Sequence, residues 1–154
     1  MQLSGILKPA AVRVVGNLTS KKRLFLDLGE IAASVYDLSE TDAVSALLER
    51  ETLGPTGVGD GIALPHARMG ALHDVVGVFL RIEKPLDFNA VDRQPIDLVF
   101  ALFAPASSGV DHLKALALVS RTMRDAGTCA KLRANTDPAT LHAILTESAE
   151  SEAA

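Results

Sequence analysis

A single cysteine, Cys129, one tyrosine and no tryptophan stand among the 154 residues. One thiol closes no disulfide within the chain and cannot build a structural zinc site, which takes several thiolates. With only five phenylalanines besides, platforms for stacking nucleic-acid bases are scarce. A basic excess is missing too: 15 Lys and Arg against 19 Asp and Glu give a net charge of −4, the wrong sign for a nucleic-acid binder. No apolar run approaches the ~20 residues that span a bilayer. The longest, 96–106, is interrupted by Asp97. The N-terminus has no basic start followed by an apolar stretch, so no signal peptide is expected and the compartment is expected to be the cytoplasm.

What is present is a globular composition, 48% hydrophobic and 22% charged, long enough to bury a sizeable core in one domain. Val12–Leu18 is rich in β-branched residues and reads as a strand. Ser20 caps a helix to about Tyr36, with Leu24, Phe25, Leu28, Ile31, Ala32 and Val35 on one stripe. Ser39 caps a second helix, stopped at Gly54. Short strand Ile62–Leu64, strand Val75–Ile82 and strand Leu98–Phe103 follow. The connection between the last two is too short for a crossover helix, which points to an antiparallel pair. Pro105, Ser107, Ser108 and Gly109 make a loop before a helix over about Val110–Asp125, ended by Gly127. Lys131–Ala134 is a short helix, Pro138–Thr146 a last one, and 147–154 an acidic, frayed end. No internal repeat is visible. Interspersed strands and helices give an α/β fold, a mixed sheet with helices on its faces.

One stretch exceeds what packing requires: Gly54-Pro-Thr-Gly-Val-Gly-Asp-Gly-Ile-Ala-Leu-Pro-His66-Ala-Arg68. Glycines let the backbone approach a ligand and turn its N–H groups toward an anion. Walker A chemistry fails, because Ile62 stands where Lys would follow the glycine. A dinucleotide fingerprint fails as well, since a helix precedes the glycines and a strand follows. Two readings remain: a wide turn between helix and strand, or a loop lining a pocket beside His66. An imidazole with one free nitrogen is a competent nucleophile near neutral pH. His112, near a helix N-terminus, either contacts an anion or edges the core with Leu116, Val119 and Met123. Arg50 and Arg68 are each either a solvated cation or a planar partner for phosphate oxygens. His73 and His142 read as solvated surface, and Lys21-Lys22-Arg23 as a solvated first turn or a contact for an acidic partner. No metal-binding motif is present, so neither metal nor cofactor is expected.

These residues resemble the active-site signature of enzyme IIA proteins of the fructose/mannitol class, from the phosphoenolpyruvate-dependent phosphotransferase system. The likeness extends to Val76-Gly-Val-Phe, to Pro95-Ile-Asp-Leu-Val-Phe-Ala-Leu-Phe-Ala-Pro-Ala, and to His112-Leu with its helix. Leu3-Ser-Gly-Ile-Leu and Ser20-Lys-Lys-Arg-Leu are similar to the nitrogen-regulatory subgroup. The resemblance implies a mixed, about five-stranded sheet flanked by helices on both faces, with 1–147 as a single IIA domain and 148–154 as a flexible acidic tail. It implies that His66 accepts a phosphoryl group from a histidine phosphocarrier protein, HPr or its nitrogen-branch counterpart. His112 would orient or stabilise that group and Arg50 would offset its charge. Thr56, Gly57, Gly59 and Gly61 would form the phosphate loop, with Arg68 auxiliary. The output would be regulation of cytoplasmic target proteins through the phosphorylation state. The alternatives are a sugar-specific component that passes phosphate to a IIB subunit, and a non-catalytic anion-binding module. Many family members carry Gly-Lys after the histidine, where this chain has Ala67-Arg68.

Overall fold

The computed structural model describes residues 1–107 and 109–153; Ser108, in the expected loop, and Ala154, at the end of the expected tail, lie outside the described residues. Two single helical turns, Leu3–Gly5 and Pro9–Ala11, lead into strand β1 (Val12–Val15), which is shorter than expected because the chain bends at Gly16. Helix α1 (Lys21–Tyr36) starts where its cap dictates: the Ser20 hydroxyl accepts from the Arg23 N–H. Ser39 does the same for α2 (Glu40–Thr52) through the Asp42 N–H.

The sheet is built on the antiparallel pair β5 (Val76–Leu86) and β6 (Ile96–Pro105), as the short connection required. Strand β1 joins the outer edge of β5 in parallel. The other edge of β6 carries β3 (Ile62–Ala63) and then β4 (His66–Met69), both parallel to it. Strand β2 (Gly57–Gly59) pairs antiparallel with β3. The order is therefore β1-β5-β6-β3-β2, with β4 beside β6, a mixed sheet of six strands. Leu64 and Pro65 separate β3 from β4, and proline has no N–H to give the ladder. The Pro65 carbonyl still accepts from the Leu102 N–H at 2.9 Å, so β3 and β4 form one interrupted line along β6.

Strand β6 is buried almost end to end and β5 through its centre, so both faces of the sheet are covered. Helices α1 and α2 pack on each other. Helices α3 (Val110–Arg124), α4 (Ala126–Arg133) and α5 (Pro138–Ala153) form a second packed group. Gly127 does not end α3 as expected. The carboxylate of Asp125 caps α4 through the Thr128 N–H at 2.9 Å, so α4 starts at once and Gly127 lies inside it. Helix α5 continues past Thr146, the expected end, to Ala153, with Ala149 buried.

Strand β2 lies within the glycine-rich stretch and closes a hairpin with β3 through Asp60 and Gly61. Their φ values of 57° and 79° are those of a type I′ turn, for which Asp-Gly is a favoured pair. Gly61 is fixed a second way. A Cβ there would come within 2.7 Å of both Arg133 Nη2 and Asp97 Oδ1, an ion pair 2.8 Å apart at its Nε.

Candidate functional site

Helix α2 leans on β4, and α3 leans on β6. The C-terminal end of α2 and the N-terminal end of α3 therefore meet over the start of β4, and His66 is the first residue of β4. Residues two apart on a strand share a face, so His66 and Arg68 line the same cleft, of about 510 Å³. Arg50, from the last turn of α2, and His112, from the first turn of α3, complete its polar wall.

The hydrogen bonds of His66 fix its proton. Its Nδ1 lies 2.9 Å from the Leu64 carbonyl oxygen. A carbonyl only accepts, so Nδ1 carries the hydrogen and donates it. In the neutral ring, Nε2 then holds an unshared pair, and Arg50 Nε donates to it at 3.3 Å. Burial, followed by the positive charge of Arg50, pushes His66 below the ordinary imidazole value; the Leu64 bond and the Glu51 carboxylate act in the other direction. The first pair of effects wins, which keeps Nε2 unprotonated and nucleophilic at neutral pH.

His112 stands edge-on to His66, ring centroids 5.6 Å apart at 84°. It is 6% exposed. Burial lowers its pKa first, then the charges of His66 and Arg68. Its Nδ1 is buried and has no hydrogen-bond partner among the described residues, an arrangement a packing residue would avoid. Arg50 also donates from Nη1 to the Gly54 carbonyl at 3.0 Å, so its fork is held on one side and directed at His66 on the other. Arg68 is exposed and reaches the Ala106 carbonyl at 3.4 Å.

The four expected loop residues are not brought to this cleft. Thr56 is buried and both its N–H and its hydroxyl are taken by Glu51, at 3.0 and 2.6 Å. Gly57 packs on the β5–β6 connection, where a Cβ would stand 2.7 Å from Ala90 Cβ. Gly59 and Gly61 belong to the hairpin and border a different cavity or the Arg133–Asp97 pair. Of the two readings of the glycine stretch, the turn describes its second half. Only Gly54 reaches the site, through its carbonyl.

Other residues emerge only in the fold. Glu49, Leu53 and Leu113 line the cleft, and Leu53 and Leu113 are 81% and 64% exposed. A leucine directly after a helix and another one residue past His112 were the available signals. Lys21 is not a solvated first-turn cation: its Nζ lies 2.6 Å from Glu51 and over the Phe88 ring. His142 is half-buried, its Nε2 2.9 Å from the Leu7 carbonyl oxygen, which corrects the reading of it as solvated surface. His73 is exposed and lines a separate cavity with Tyr36. Among the described residues no group of three or more His, Cys, Asp or Glu is placed to hold a metal ion, and no helix is long and apolar enough to cross a membrane.

Comparison with known proteins follows the same lines. The family described as "Phosphoenolpyruvate-dependent sugar phosphotransferase system, EIIA 2" matches residues 6–148. A nitrogen regulatory protein of Bradyrhizobium diazoefficiens is 39% identical over 145 residues, covering 94% of this chain and 95% of its own. One of Klebsiella oxytoca is 40% identical over 148 residues, covering 96% and 91%. The crystal structure of nitrogen regulatory protein IIA-Ntr from Neisseria meningitidis superposes with a TM-score of 0.85 at 32% identity, over 93% of this chain and 98% of that one. The chain belongs to the EIIA 2 family of the phosphoenolpyruvate-dependent phosphotransferase system, and within it is similar to nitrogen regulatory IIA proteins.

Proposed function

We propose that His66 accepts a phosphoryl group on Nε2 from the phosphohistidine of a small phosphocarrier protein, and that the resulting charge state regulates cytoplasmic targets. The observation that carries this reading is the pair of bonds on one ring: Nδ1–H to the Leu64 carbonyl, and an unprotonated Nε2 facing the Arg50 guanidinium. The Nε2 pair forms the new P–N bond as the donor's P–N bond breaks. The donor imidazole leaves with that bond's electrons, neutral if its other nitrogen carries a proton. His66 keeps its Nδ1 hydrogen throughout, and the positive charge that develops on its ring is met by the Leu64 oxygen. Arg50 is placed to exchange its bond to Nε2 for a bond to an equatorial phosphoryl oxygen, and His112 and Arg68 border the same space.

The donor is read as a protein because the cleft is open and carries exposed Leu53 and Leu113 on its rim, apolar area suited to a docking surface. Phosphorylation adds about −1.5 to −2 charges to a cleft lined by the cations Arg50 and Arg68. A target that docks over the leucines therefore meets two different potentials. The regulatory role rests on the likeness to proteins named nitrogen regulatory protein.

The test is incubation with phosphoenolpyruvate, enzyme I and phosphocarrier, followed by intact mass. The parent protein gains one phosphoryl group and His66→Ala gains none. Labelling of His66→Ala like the parent contradicts the assignment. Onward transfer to a sugar-specific IIB subunit would replace the regulatory role with one in uptake.

A further inference from the structure

Glu51 is the residue next to Arg50, and no part of the chemistry above uses it. Its side chain is 8% exposed and forms an ion pair with Lys21 at 2.6 Å. The remaining carboxylate capacity is spent on one residue, Thr56, through the N–H at 3.0 Å and the hydroxyl at 2.6 Å. A carboxylate with this many charge-assisted partners in a buried setting is held in one geometry. The consequence is local. Glu51 ties the end of α2 to the residue five positions on, and so closes the Thr52–Pro55 turn into a fixed loop. The carbonyl of Gly54, inside that loop, is the acceptor that holds Arg50 Nη1. The Gly54 carbonyl and His66 are the two hydrogen-bond acceptors of the Arg50 side chain among the described residues.

We propose that Glu51 is a positioning residue for phosphoryl acceptance: by fastening Thr56, it sets the Gly54 carbonyl and through it the Arg50 guanidinium against His66. Lys21 is part of the same brace. Its ammonium also donates to the Phe88 carbonyl at 3.2 Å, so the Lys21–Glu51 ion pair links α1 and α2, and its ammonium end reaches the β5–β6 connection. The negative charge of Glu51 further offsets that of Arg50 at the imidazole. This inference rests on the phosphoryl-acceptor reading of His66. Misplacing a catalytic group by about 1 Å costs up to ~10²-fold in rate.

The experiment is a double-mutant cycle on the single-turnover rate of phosphoryl acceptance from pre-phosphorylated phosphocarrier. Glu51→Ala is expected to slow acceptance about ten- to a hundredfold in the parent, and to slow it little or not at all when Arg50 is already alanine. Glu51→Gln, which keeps an acceptor for Thr56, is expected to restore most of the rate and secures a folded variant if Glu51→Ala is unstable. Equal losses from Glu51→Ala in both backgrounds overturn the inference, as does an unchanged rate in Glu51→Ala, or a Glu51→Gln variant as slow as the alanine. A parent protein that takes no phosphoryl group on His66 defeats the reading of the site instead; a parent labelled at His66 whose Glu51 variants behave like it defeats the positioning role alone.

Discussion

In the proposed reaction, Arg50→Ala removes the guanidinium that donates to the accepting nitrogen, and the geometry bounds the size of the effect. At an Nε–Nε2 distance of 3.3 Å, the guanidinium stays within reach of the equatorial oxygens of a phosphoryl group carried on Nε2 in the proposed reaction. Loss of a single preorganised donor commonly costs ~10²–10³ in rate. The cleft is open to water and Arg50 is only half-buried, so solvent screens the charge and the lower end applies: about a hundredfold, or ~2.7 kcal/mol of transition-state stabilisation. The fold should lose less. The bond to the Gly54 carbonyl is worth ~1 kcal/mol, and a cation in the last turn of α2 ~0.3–1 kcal/mol. Together these correspond to a melting temperature lower by about 2–8 °C, well short of unfolding at 25 °C. Single-turnover acceptance from phosphorylated carrier, quenched and read by intact mass, separates the two effects. Arg50→Lys should fall between parent and alanine, because an ammonium keeps the charge but cannot bridge Gly54 and the phosphoryl group with one planar fork. Acceptance by Arg50→Ala at the parental rate, with the protein fully folded, would refute the electrostatic role.

Three further outcomes follow from the same geometry. Because His66 is held below the ordinary imidazole value of ~6.5, its acceptance rate should still exceed half its maximum at that pH and reach its midpoint only below it; a half-maximal rate at or above ~6.5 contradicts this. His66 and His112 are both depressed in the folded state, so the unfolded chain binds more protons there, and the stability they contribute above the ordinary value is lost as pH falls through the folded values. This can be read from denaturant midpoints over pH 7 to 5. Gly61→Ala should lower unfolding free energy by about 1–3 kcal/mol, from a left-handed backbone and a crowded Arg133–Asp97 pair, yet leave phosphoryl acceptance near the parental rate; a large loss of acceptance in a folded Gly61→Ala would return the glycine to the site.

The caps, the apolar stripes and the antiparallel central pair were legible because each has a local cause: Ser20 and Ser39 before helices, and a connection too short for any crossover. The hairpin was equally local. Asp60-Gly61 is a type I′ signal, but the density of glycines invited a phosphate-loop reading that gave this pair no weight. Strand β4 carried no such signal. His-Ala-Arg-Met has low strand propensity, and it extends only because β6 pairs with it. Within the site, the histidines and Arg50 stood out by residue type. The Lys21–Glu51–Thr56 brace did not, because it joins positions thirty residues apart through the packing of α1 against α2.

The most direct measurement is NMR of the phosphorylated protein with ¹⁵N-labelled histidine. The account predicts one phosphoryl group, on Nε2 of His66, with the Nδ1 hydrogen retained and bonded to the Leu64 carbonyl. Phosphorus on Nδ1 of His66, or on His112, would contradict it.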